Sequence, residues 1–192
     1  MGRLRESDEH QTIGKLNMLA DRMMLNAGFI DNPGLAKGKM GIAVFMYHYA
    51  RFSGNKAYEK FAGNLIDQIY DDINSSTPID FENGLTGIGW GIIYLIKNGF
   101  IKGDLNDVLE EIDNAIGRDD HAGKESDSGV AKYLLARRSD SVTDIIELLS
   151  FIRPDYNAVD IAFLINPDNY GLFNGLAGNG LKAIYCLESL AA

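Results

Sequence analysis

The chain has 192 residues, with 18 Lys plus Arg against 27 Asp plus Glu, and a formal charge of −9. So acidic a balance lacks the electrostatic footprint of a nucleic-acid binder or of a protein that docks on anionic membranes. A hydrophobic fraction of 46% with 23% charged residues excludes general disorder, and the length predicts a single domain over 1–192. The lone cysteine, Cys186, can form no internal disulfide and supports no zinc site built on two thiolates. Residues Met1 to Gln11 are charged and lack the apolar core of a signal peptide. The longest apolar stretch, Gly87 to Ile96, stops at Lys97, far short of the ~20 residues that span a bilayer. No membrane insertion is expected, and the expected location is the cytoplasm.

In chain order, Ile13, Leu16, Ala20 and Met23 mark a first, loose amphipathic helix. Met40 to Tyr49 is apolar almost all round, as a helix buried on every side must be. After the cap residue Asn55, Tyr58, Phe61, Ala62, Leu65, Ile66, Ile69, Tyr70 and Ile73 make one apolar stripe, with Glu59, Lys60, Asp67, Gln68, Asp71 and Asp72 on the water side. Ile88 to Ile96 is again apolar all round and ends at Asn98-Gly99, a C-terminal stop. The stripe recurs after Asp104, in Leu105, Val108, Leu109, Ile112, Ala115 and Ile116, and after Ser141, in Val142, Ile145, Ile146, Leu149 and Ile152 before Pro154. Leu181 to Leu187 closes the series as a third apolar helix. No segment alternates with period 2 over a strand's length, so the predicted fold is all-α.

The apolar helices open with glycines: GKMGIAVFMY from Gly38, GLTGIGWGII from Gly84, a weaker GVAKYLLAR from Gly129, and GLAGNGLKAI from Gly175. These starts are 46, 45 and 46 residues apart. A repeat of that length, one amphipathic and one buried helix in each, predicts a stacked or ring-shaped helical array of about four repeats. Residues three apart share a helical face. The pairs Gly38/Gly41, Gly84/Gly87 and Gly175/Gly178 are therefore expected to clear strips for close helix–helix approach, and to bring unpaired first-turn N–H groups to the centre.

Asn83-Gly84-Leu85-Thr86-Gly87-Ile88-Gly89 and Tyr170-Gly171-Leu172-Phe173-Asn174-Gly175-Leu176-Ala177-Gly178 resemble the Gly-x-x-Gly repeats of lanthionine synthetase C-like (LanC-like) proteins. The resemblance implies an α/α toroid, inner helices within outer ones, which four repeats would build whole or in part. It also implies a role in modified-peptide (lantibiotic-type) biosynthesis. Cyclases of that family join cysteine thiols to dehydrated residues of a precursor peptide, using zinc held by one Cys and by a Cys-His pair just before a glycine motif. A His is the acid/base candidate. Thiolate ligation suits that chemistry, because the metal deprotonates the incoming cysteine and keeps it nucleophilic. Here Glu82-Asn83 and Phe173-Asn174 stand where the Cys-His pair would precede Gly84 or Gly175. Cys186 lies on an apolar segment, and His10, His48 and His121 fit no part of the motif. The expectation is a shortened, zinc-free relative without cyclase activity, acting as a peptide-binding or accessory component beside a precursor peptide or a biosynthetic partner.

Two other readings stay open. Asp80 and Glu82, before an apolar helix, suit its N-terminal dipole, and carboxylates so placed are also candidates for the acid/base pair of a carbohydrate hydrolase. A purely structural helical array would instead bind a protein partner. His48, Glu82, Asn83, Trp90 and Asn174 are the candidates for lining a central cavity, and Asp119 to Asp127 reads as a solvated acidic loop. An arc of four repeats leaves two ends. The polar segment Met1 to Gln11 is expected to shield one, while the apolar stretch Ile184 to Ala192 is expected to leave the other open and favour a two-fold dimer.

Overall fold

The computed structural model describes residues 6–118, 127–140, 170–173 and 175–191. Seven α-helices and one short 3₁₀ turn account for the described secondary structure, and no strand occurs among these residues. The helices are α1 (Glu6–Asn26), α2 (Lys39–Ser53), α3 (Lys56–Asp72), α4 (Leu85–Lys97), α5 (Leu105–Arg118), α6 (Asp127–Arg138) and α7 (Leu176–Ala191). The amphipathic helix expected after Ser141, and all of the acidic loop but Asp127, lie outside the described residues.

The two helix types appear as the patterns require. Every residue of α2 from Lys39 to Ala50, and of α4 from Leu85 to Leu95, is buried. In α3 only Ala62, Leu65, Ile66 and Ile69 are buried, one stripe of the helix. Asn55 caps α3, its Oδ1 accepting the Ala57 N–H at 3.0 Å. Asp104 does the same before α5, accepting the Asn106 N–H at 2.8 Å. The apolar helices start earlier than their apolar runs: the glycine-bearing first turns of α4 and α7 are already helical.

Packing sets the order of the buried helices. α2 packs against α3, α4 and α7; α4 packs against α5 and α6 as well. The helices that follow the four glycine motifs therefore run α6, α4, α2, α7 in space, with the last repeat beside the first. In α6 only Gly129 and Tyr133 are buried among the described side chains and Leu135 is 70% exposed, so this weaker copy is not buried on every side. α7 also packs on α1, and Ile184 (0% exposed) and Leu187 (5% exposed) lie in the common core. Of the stretch expected to stay open, Ile184 and Leu187 thus pack inside the chain, whereas Glu188 and Ser189 are exposed. No helix among the described residues is long and apolar enough to cross a membrane.

Candidate functional site: the glycine loops

The first turns of α2, α4 and α7 meet three equivalent loops: residues 32–38, 78–84 and 170–175, of which residue 174 is not described. Each loop folds back over the helix that follows it. The Lys39 N–H donates to the Asn32 carbonyl (2.9 Å), Leu85 to Pro78 (2.8 Å) and Ala177 to Tyr170 (3.3 Å), each across seven residues. First-turn donors that a helix leaves unpaired are satisfied here by the chain's own preceding loop. This corrects the expectation that those N–H groups stay unpaired.

The same back-fold dictates the glycines. A Cβ on Gly87 would lie 1.9 Å from the Phe81 carbonyl oxygen, and one on Gly178 would lie 2.0 Å from that of Leu172. Gly38, Gly41 and Gly84 stand in the same six-residue relation to Asn32, Leu35 and Pro78. The motif glycines therefore admit a loop carbonyl, where a strip for helix–helix contact was expected. Close helix approach falls to other glycines: Gly91 against Met40, Gly89 against Tyr133 and Gly180 against Phe45. Gly175 is buried, and its carbonyl accepts the Asn179 N–H at 3.1 Å.

Loops are joined to one another at one repeated position. The Phe173 N–H donates to the Ala36 carbonyl (3.3 Å), and the Ala36 N–H donates to the Glu82 carbonyl (2.7 Å). Asn32 Nδ2 donates to Asn83 Oδ1 at 2.8 Å, while Asn32 Oδ1 accepts the Gly34 N–H at 2.8 Å. Gly34 and Gly171 let the next loop come close: a Cβ on Gly34 would sit 2.3 Å from Asn83 Cα. Asp80 occupies that position in the second repeat. It is exposed, and its Oδ1 accepts the N–H groups of Glu82 (2.9 Å) and Asn83 (2.8 Å). Glu82 is exposed and Asn83 half-buried.

His48 and Trp90 lie in the packed core, away from the loop surface. His48 is 9% exposed, with Nε2 at 2.7 Å from Tyr94 Oη and the Phe100 ring 4.6 Å from its own. Burial foremost, and then the Arg51 charge, push its pKa down to about 3, so the ring is neutral at pH 7. Trp90 stacks on Tyr94 at 5.6 Å and meets Phe81 edge-on at 6.0 Å. Asn174 lies outside the described residues.

At positions 82–83 and 173, where the resemblance would put Cys-His ligands, the chain offers one exposed carboxylate, a neutral amide already bonded to Asn32, and a phenyl ring. That ring lies 6.5 Å from Phe81. Cys186 comes ten residues after the start of α7, about 15 Å along the helix at ~1.5 Å per residue. Among the described residues no three His, Cys, Asp or Glu side chains converge. This donor set does not fit a thiolate-rich zinc centre.

A protein-family model described as "Lanthionine synthetase C-like protein" matches residues 30–153, well over half of the chain. The chain belongs to the lanthionine synthetase C-like family. The segment that matches the LanC-like model holds the first two glycine loops and α2 to α6. Searches of curated proteins and of solved structures found no match.

Proposed function

We propose that this LanC-like chain serves modified-peptide biosynthesis in the cytoplasm as a zinc-free, peptide-binding or accessory component and not as a thioether cyclase. The observation that carries the reading is the Asn32–Asn83 amide pair at 2.8 Å. At the place where a cyclase of this family needs a metal ligand, the side chain ties two loops together. Without a thiolate-held Lewis acid, an incoming cysteine keeps its ordinary pKa near 8.5, and little of it is nucleophilic at neutral pH. The exposed Asp80 and Glu82 leave an acidic, polar rim at the loop end, suited to holding a peptide by its backbone and basic groups.

The test combines three readings on purified protein. Elemental analysis is expected to give less than a tenth of a zinc per chain. A synthetic peptide carrying dehydroalanine and cysteine, incubated with protein and added zinc, is expected to lose free thiol no faster than without protein. The same peptide, dye-labelled at a remote residue, is expected to show raised fluorescence anisotropy on protein. One tight zinc per chain or accelerated ring closure would restore the cyclase reading, and unchanged anisotropy would end the peptide-binding one.

A further inference from the structure

At the far end of α2 from the glycine loops, about 22 Å away at ~1.5 Å per residue over its fifteen residues, lies an open cleft of about 290 Å³. Its floor is Tyr47, Ala50 and Phe100, and its charged rim is Arg51, Lys56 and Glu59. The turns that shape it use Gly54 and Gly99 at φ 69° and 66°, a left-handed conformation in which other residues are strained. The walls are firm. The Arg51 guanidinium carbon sits 3.6 Å above the Phe100 ring centroid, and Arg51 Nη2 donates to the Asn98 carbonyl at 3.0 Å. Phe100 is backed on His48 and Tyr94. Lys56 and Glu59, by contrast, make no hydrogen bond or ion pair among the described residues.

Size and charge limit what can bind. Ligand pockets commonly run from ~300 to 1,000 Å³, so a cleft at the bottom of that range holds something of amino-acid size. Two cations and one carboxylate leave one net positive charge, which suits a monoanion; beside Glu59 a phosphate dianion is less well matched. The apolar floor asks for an apolar body next to the anionic group. We propose that this cleft binds an apolar α-amino-acid carboxylate, free or at a peptide's C-terminus, with the carboxylate between Arg51 and Lys56 and the side chain on Tyr47 and Ala50, beside the Phe100 ring that Arg51 covers. The site stands independently of the zinc-free reading of the glycine loops.

Titration calorimetry with N-acetyl-phenylalanine, its amide and free phenylalanine tests it on the whole chain, with nuclear magnetic resonance locating the shifts. The N-acetyl acid is expected to bind at least about tenfold more tightly than the amide, since the amide forfeits charge-assisted hydrogen bonds. Lys56→Gln is expected to weaken the acid by about tenfold at an unchanged melting temperature, because that side chain has no partner to lose. Glu59→Gln is expected to tighten the N-acetyl acid. Free phenylalanine binding as well as the N-acetyl acid identifies a free amino acid as the ligand, and weaker binding identifies a peptide end. Equal affinity for acid and amide, indifference to Lys56→Gln, or no shift around Gly54 and Gly99 at millimolar probe would overturn the assignment.

Discussion

Gly87→Ala and Gly14→Ala are the same chemical change inside two helices, and the structure gives them opposite signs. At Gly87 the new methyl would lie 1.9 Å from the Phe81 carbonyl oxygen and 3.1 Å from Leu35 Cβ. Restoring an ordinary contact of about 3.4 Å moves the loop by roughly 1.5 Å. That loop is held by Leu85 N–H on Pro78, by Ala36 N–H on Glu82, and by the Asp80 side chain. Overpacking costs about 1–3 kcal/mol and each loosened hydrogen bond about 1, against a gain of about 1 from helix propensity. The balance is a loss of about 2–4 kcal/mol, or roughly 4–16 °C in melting temperature for a chain of this size. At Gly14, in the exposed face of α1, nothing lies within 4 Å of the new methyl. There the propensity term stands alone, and the variant is expected to gain about 0.5–1 kcal/mol. Thermal and urea unfolding followed by helical circular dichroism measure both. A Gly87→Ala protein melting within a degree of the parent, or both variants moving in the same direction, would refute the loop-carbonyl account.

Two further outcomes follow from the hydrogen-bonded and titrating groups. His48, neutral in the fold with a pKa near 3, gains a proton in the unfolded chain below about pH 6.5. Its contribution to stability is therefore intact above that pH and falls as pH drops from about 6.5 towards 3. His48→Gln, whose amide can still meet Tyr94, is expected to flatten this slope in urea titrations run at several pH values; an unchanged slope assigns it to other groups. Asp80→Ala strips an acceptor from the Glu82 and Asn83 N–H groups and is expected to cost about 1 kcal/mol, whereas Glu82→Gln should stay within about 0.5. Equal stabilities for these two would show that the Asp80 cap contributes nothing.

The amphipathic helices were legible because their signal is local. Asn55 and Asp104 announce the starts of α3 and α5, and the 3-4 spacing after them names the buried stripe. The buried helices were legible as elements, and the glycine motifs at Gly38, Gly84 and Gly175 marked where they open. The helices open one residue after those glycines, at Lys39, Leu85 and Leu176. What was not legible was the compensation for Gly84/Gly87 and Gly175/Gly178, since each interior glycine costs about 1 kcal/mol of helix stability. What offsets that cost is a carbonyl six residues back, and a fold-back of that kind leaves no periodic mark. One trace was available: Leu35, Phe81 and Leu172 occupy one repeat position, are all apolar, and are all buried. Two of them reach the neighbouring repeat's motif glycine, with Leu172 Cβ at 2.9 Å from a Cβ on Gly41 and Leu35 Cβ at 3.1 Å from one on Gly87.

The candidate site was legible only as a substitution. Glu82-Asn83 and Phe173-Asn174 show in the sequence that expected ligands are missing, but not what replaces them, because the Asn32–Asn83 bond joins residues 51 apart. The replacement has its own logic. Position 34 of the first loop is glycine, and so is its counterpart 171, and both admit the next loop at a distance no Cβ would allow. The second loop has Asp80 there, and the Glu82 N–H turns to that side chain. In the first loop the equivalent Ala36 N–H reaches across to Glu82. Among the described residues, the run of loop-to-loop hydrogen bonds from Phe173 through Ala36 thus arrives at Glu82, whose own N–H is taken by the Asp80 carboxylate. The acidic rim and the cap of the second loop are therefore one feature, and Asp80→Ala probes both: the loop loses its cap as the surface loses its charge.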